Sequence, residues 1–231
     1  MNEHFTYFLI LGLSLAGPLV LSFDKKVRFY KKWKYLFPAM LMPATFYIVW
    51  DFYFTSKGIW SFNKNYVSGY NIYNLPVEEV LFFFVIPYCC VFIYECIDIY
   101  FPALKSKRWG DIILKSLGGV LFIIGILFYD HLYTSWTFIF TSIFIGVIYF
   151  GKNYFKFSAS LFLISFLVML IPFIIVNGFL TSIPVIKYNN AENLAIRISS
   201  IPVEDIFYGM LLILMNVILY EKLKSKKFKS H

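Results

Sequence analysis

The chain alternates long apolar runs with short polar breaks. A helix that crosses a bilayer needs about 20 mostly apolar residues. Seven runs meet that need, at about 5–22, 35–54, 76–95, 111–129, 133–150, 158–177 and 202–221. The breaks between them fall into two classes by charge. Segments 23–34, 97–110 and 151–157 and the tail from Lys222 hold sixteen of the lysines and arginines, whereas the opposite loops hold only Lys57, Lys64, Lys187 and Arg197. Basic loops stay on the cytoplasmic side. The alternation therefore predicts seven spans with the N-terminus outside and the C-terminus inside. The two long outer loops, about 55–75 and 178–201, carry Ile59, Trp60 and Phe62 among other apolar residues, and are expected to fold back over the outer mouth of the bundle.

A second pattern lies over the first. Residues 74–84 read NLPVEEVLFFF and residues 200–210 read SIPVEDIFYGM. The same offset of 126 aligns Asp51 with Asn177, Thr55-Ser56 with Thr181-Ser182, Asn63 with Asn189, Glu79 with Asp205 and Tyr94-Glu95 with Tyr220-Glu221, without a gap. A repeat of this kind decides the architecture before any local assignment. Three helices alone would invert the second copy, and one spare helix restores its direction. The expected fold is an all-α membrane protein with a parallel 3+1+3 duplication: a first repeat over 1–110, a linking helix over 111–130, and a second repeat with a basic tail over 131–231.

Composition agrees. The 231 residues are 60% hydrophobic, and only 15% are charged, against about 25% in soluble domains. The mean hydropathy is +0.71. The net charge of +8 sits in the inner loops and so points to the bilayer rather than to nucleic acid. Phe5–Ser22 lacks a basic n-region and is preceded by Glu3, so it reads as a first span rather than a cleaved leader. Cys89, Cys90 and Cys96 lack metal-ligand spacing and read as packing; no metal is expected.

The chemistry should sit at the repeated phrase. Acids in the first turn of a helix meet the positive end of its dipole, so Pro-x-Glu-Glu could be no more than a cap. The motif recurs at equivalent places, however, and charged groups beside hydrocarbon mark function. A carboxyl walled by apolar groups stays protonated and can act as a general acid. Adjacent helix residues point about 100° apart, so Glu78 and Glu79 cannot face one pocket together. Glu78 and Glu204 are expected to be the acids, with Glu79 and Asp205 orienting them or receiving a proton. Phe82, Phe83, Tyr208, Trp60, Asp51 and Asn177 are expected to line the substrate site, where aromatic faces stabilise cationic character. Glu95 and Glu221 end their runs about 26 Å away at 1.5 Å per residue and read as structural, as does His131 in its outer turn.

Gly58-Ile59-Trp60-Ser61-Phe62-Asn63, followed by Leu75-Pro76-Val77-Glu78-Glu79-Val80-Leu81-Phe82-Phe83-Phe84, resembles the membrane-integral lycopene cyclases, here with the two small bacterial-type subunits fused in one chain as in archaea and in the fungal bifunctional proteins. The second half departs at Pro184 and Ile186, which match Gly58 and Trp60. The resemblance implies an intramolecular lyase or isomerase of carotenoid biosynthesis. It would cyclise the ψ-ends of lycopene to β-ionone rings, by way of a monocyclic intermediate, on a multi-pass protein of the plasma membrane. The implied partners are a linear carotenoid in the lipid phase and other carotenoid enzymes. Cyclisation of a C50 carotenoid or to an ε-type ring is also open. No G-x-G-x-x-G occurs, so no dinucleotide cofactor is expected. A small-molecule transporter would also suit parallel repeats, but its acids should lie near the bilayer midplane. A retinal protein would need a lysine in the last span, and 202–221 has none.

Overall fold

The computed structural model describes residues 3–151, 155 and 157–226. Lys152, Lys156, Lys227 and Lys229 of the basic segments lie outside the described residues. The described residues form seven long helices: α1 (Thr6–Leu21), α2 (Trp33–Ser56), α3 (Val77–Tyr100), α4 (Trp109–Leu127), α5 (Leu132–Phe150), α6 (Ala159–Ser182) and α7 (Glu204–Lys226). Among the described residues, six of them are long and apolar enough to cross a membrane. The exception is α2, which has the length, at 24 residues, but carries Pro38, Pro43 and Asp51 among its apolar residues. The protein is a helical membrane protein. Prolines also stand inside α1, α3 and α6, as packed membrane helices tolerate.

The centre of the bundle is α3 against α7. Two sets of contacts repeat across the two halves: α1 packs on α3 as α5 packs on α7, and α6 packs on α3 as α2 packs on α7, whereas α2 also packs on α3 more closely than α6 does on α7. The second helix of each half thus crosses to the third helix of the other, so neither half completes its core alone. Helix α4 stands outside this exchange, against α5 and α6. Its buried stripe is Gly110, Leu114, Gly118, Leu121 and Gly125, one face of a 3.6-residue period. A Cβ on Gly110 would lie 2.3 Å from the backbone nitrogen of Ser160, so only glycine permits that approach. The outward faces of α1, α4 and α6 expose Leu13, Val20, Ile112, Ile123, Ile171 and Ile175, the surface a lipid environment requires.

The outer loops contain short ribbons. β1 (Trp60–Phe62) pairs antiparallel with β4 (Ile186–Tyr188), in the register Trp60 to Tyr188, Ser61 to Lys187 and Phe62 to Ile186. At the offset of 126, Ser61 corresponds to Lys187, so a pseudo-twofold axis passes through that pair. Hairpin β2 (Asn71–Ile72) with β3 (Leu75–Pro76) has the same register as β5 (Arg197–Ile198) with β6 (Ile201–Pro202). Tyr73 and Ser199, also 126 apart, both hold φ of 58°, and Gly69 and Ala195 hold 85° and 55°. Left-handed backbone is disfavoured for residues other than glycine, and its recurrence means that one loop path is built twice.

The opposite end is fastened by charge. Glu95 accepts from Lys32, from Lys224 and, at 2.5 Å, from Tyr220 Oη. Asp98 pairs with Lys105 at 2.7 Å, and Glu221 with Lys224 at 3.4 Å. This cluster joins the segment before α2 to the ends of α3 and α7, which fits the structural reading of Glu95 and Glu221.

Candidate active site

Each acid pair begins a helix directly after a short hairpin. Pro76, at φ −59° and ψ 145°, turns the chain into α3, and the backbone N–H of Val77 donates to Tyr70 at 2.9 Å. Its counterpart Val203 donates to Ile196 at 3.0 Å. Glu78 and Glu204 are both fully buried. Glu78 Oε1 accepts from the Ser68 N–H at 2.7 Å, and Glu204 Oε1 from the Leu194 N–H at 2.8 Å. These donors are again 126 residues apart. Thr134 Oγ1 adds a further bond to Glu204 at 2.6 Å. The first acid of each pair therefore clamps the preceding loop onto the helix start. Its second oxygen has no hydrogen-bond partner in either half.

The second acid of each pair points inward. Tyr7 Oη donates to Glu79 Oε2 at 2.6 Å, and Tyr133 Oη, one offset further, donates to Asp205 Oδ1 at 2.5 Å. Asp205 also accepts from Tyr188 Oη at 2.8 Å, on the ribbon that joins the halves. Asp51 accepts from Tyr208 Oη at 2.6 Å. Asp51 and Glu79 together line a small cavity of about 30 Å³ with Trp60, Tyr133, Tyr188 and Tyr208.

Glu79 and Asp205 also wall the outer end of a larger apolar cavity of about 220 Å³ between α1, α3, α6 and α7. Along α3 its lining runs Glu79, Phe82, Ile86, Cys90 and Ile93, and along α7 it runs Asp205, Tyr208, Gly209 and Leu212. Both stripes have helical spacing. Pro172 of α6 lines the cavity and is itself exposed, so the cavity reaches the lipid-facing surface. Of the expected lining residues, Phe82, Tyr208 and Asn177 lie on this cavity, while Trp60 and Asp51 lie on the small one. Phe83 does not: it faces the opposite way, fully buried against Tyr47. Glu78 and Glu204 are absent from both linings. The helix rotation set by α1 and α5 turns the second acid, not the first, into the cavity.

Sequence reasoning missed Tyr7, Tyr133 and Tyr188. The first two lie one offset apart, so carrying the repeat back into the first helix of each half would have found them. Cys89 and Cys90 line the cavity as free thiols. His131 Nδ1 meets the Ala191 carbonyl at 2.9 Å, as a loop residue would. The three carboxyls of Glu95, Asp98 and Glu221 converge within 4.8 Å, but Lys32, Lys105 and Lys224 already neutralise them.

The arrangement is two carboxyls, held by phenols, at the closed end of an apolar pocket that opens to lipid. Such a site can protonate an apolar molecule and shelter the resulting cation from water. The family model described as lycopene cyclase matches the chain twice, over residues 4–97 and 130–223. No curated protein and no solved structure matches it.

Proposed function

Since the chain belongs to the lycopene cyclase family, we propose that it closes the ψ-ends of lycopene into β-ionone rings by acid catalysis, a redox-neutral isomerisation. The observation that carries this reading is the pair Glu79 and Asp205 on one apolar cavity. Glu79, which shares the small cavity with Asp51 and accepts from Tyr7 Oη at 2.6 Å, is the proton donor: a carboxyl held in a dry, apolar site is a usable general acid. The proton adds to the terminal C1=C2 bond of the substrate. The C5=C6 π electrons then attack C1, forming the six-membered ring and moving the cation to C5. Loss of the C6 proton forms the C5=C6 bond of the β ring. Asp205, which accepts two phenol hydrogen bonds, suits the base. No electron acceptor is needed for this balance.

Glu78 and Glu204 become positioning residues in this scheme. Their bonds to loop backbone hold the helix start at the angle that presents Glu79 and Asp205. Phe82 and Tyr208 face the cation path and stabilise it through their π faces. The transporter reading gives way to family membership. We further propose seven spans, with α2 as the seventh, in a plasma membrane, and with the basic end inside as the lysine distribution requires. The substrate then enters from lipid beside Pro172.

The test is expression in bacteria that accumulate lycopene, with pigments separated by chromatography. β-Ionone products are expected. Unchanged lycopene overturns the substrate assignment, and ε-ended products overturn the ring type.

A further inference from the structure

The two halves share a backbone, but the groove is open in only one of them. The cavity depends on small residues at positions whose counterparts, 126 residues away, are aromatic. Ser14 corresponds to Phe140, Pro172 to Phe46, Val176 to Trp50 and Gly209 to Phe83. Pro18 and Ile186 likewise correspond to Phe144 and Trp60. All six aromatics belong to one packed cluster. Trp50 meets Phe140 at 5.2 Å between ring centroids and Phe46 at 5.5 Å, and Tyr47 meets Phe83 at 5.5 Å. Such spacings are those of well-packed aromatic cores. The second groove is therefore filled with side chains. Both Glu79 and Asp205, one from each half, instead serve the one that remains.

We propose that the protein has a single catalytic groove, kept open by Val176 and Gly209, and that it cyclises one end of its substrate per binding event. This rests on the cyclase reading above. At about 220 Å³ the cavity is smaller than the roughly 300–1,000 Å³ typical of pockets that enclose a whole drug-sized ligand. It takes in one end of a long polyene and leaves the rest in lipid. The second end reaches the acid only after the monocyclic product has left and re-entered reversed. Duplication here supplies two acids to one site rather than two sites to one substrate.

The wild-type test is an isotope chase in proteoliposomes. Labelled lycopene is allowed to begin turnover, and a large excess of unlabelled lycopene is then added. A single groove predicts that labelled monocyclic product accumulates, because it must compete for re-entry. Labelled bicyclic product continuing to form without that accumulation overturns the proposal while leaving the cyclase assignment standing. No ring product at all overturns both. A second arm transplants the closed groove: Val176→Trp and Gly209→Phe, each alone, should lower ring formation about 100-fold, as loss of a productive pose does. The mirror change Trp50→Val should leave first-ring formation within about threefold. Full activity in both plugged variants would overturn the assignment of this groove.

Discussion

Replacing Glu79 with glutamine, and separately Glu78 with glutamine, divides the two neighbouring carboxyls by function. Glu79 lines the cavity and accepts from Tyr7 Oη at 2.6 Å. Glutamine keeps the size and the acceptor but cannot deliver a proton. General acid catalysis contributes about 10²–10⁴-fold, or about 3–5 kcal/mol of barrier at 1.36 kcal/mol per decade. Glu79→Gln should therefore slow ring formation by about that factor, with the protein still folded. Glu78 is bonded instead to the Ser68 N–H at 2.7 Å, and its other oxygen has no partner. Glu78→Gln preserves the acceptor and places an NH₂ where that oxygen lay. Burying an unpaired donor costs about 1–3 kcal/mol, so this variant should melt lower yet keep ring formation within about tenfold. The assay is initial ring formation in proteoliposomes at matched amounts of folded protein. Equal losses for the two variants, or the larger loss for Glu78→Gln, would refute the choice of Glu79 as the acid.

Further outcomes follow from the same geometry. Tyr133→Phe and Tyr188→Phe each remove one hydrogen bond to Asp205. Each bond to a charged group is worth about 1.5–3 kcal/mol, so each variant should slow turnover about tenfold or more, and the double variant further, without altering substrate uptake measured by pigment co-purification. Lys224→Met leaves Glu221 without its cation and takes one of two from Glu95. Breaking a buried ion pair costs about 3–5 kcal/mol, which thermal unfolding in detergent should report as a clear fall in Tm with the pigment product unchanged. Gly110→Ala drives a Cβ into the Ser160 backbone at 2.3 Å. Overpacking costs about 1–3 kcal/mol, and the melt should fall accordingly, whereas Gly119→Ala, with open space at its Cβ, should not move it.

Apolar runs and the 126-residue offset made the helices and their equivalence legible, because both are written in local residue types. The offset recurs in backbone detail at the hairpins, at Ser68 and Leu194, and at Tyr7 and Tyr133. Which acid faces inward was not legible from the motif. Pro-Val-Glu-Glu fixes a 100° step between neighbours but not the rotation of the helix, which the packing of α1 on α3 and of α5 on α7 decides. The downstream stripe did carry the signal: Phe82, Ile86, Cys90 and Ile93 keep helical spacing with Glu79. Phe83 has the aromatic character such a site calls for, yet it belongs to the filled groove. That difference between halves is visible only when each small residue is compared with its aromatic counterpart. The pairing of β1 with β4 was hidden for another reason, since three-residue strands carry too little periodicity to be read.

The central claim is that a carboxyl proton starts the ring closure. The direct measurement is turnover in D₂O with mass analysis of the carotenoid products. Proton-initiated cyclisation places a single deuterium from solvent at C2 of each ring formed. Wild-type protein should show that label, and Glu79→Gln should make little product of any kind. Ring product formed in D₂O without deuterium would contradict the mechanism.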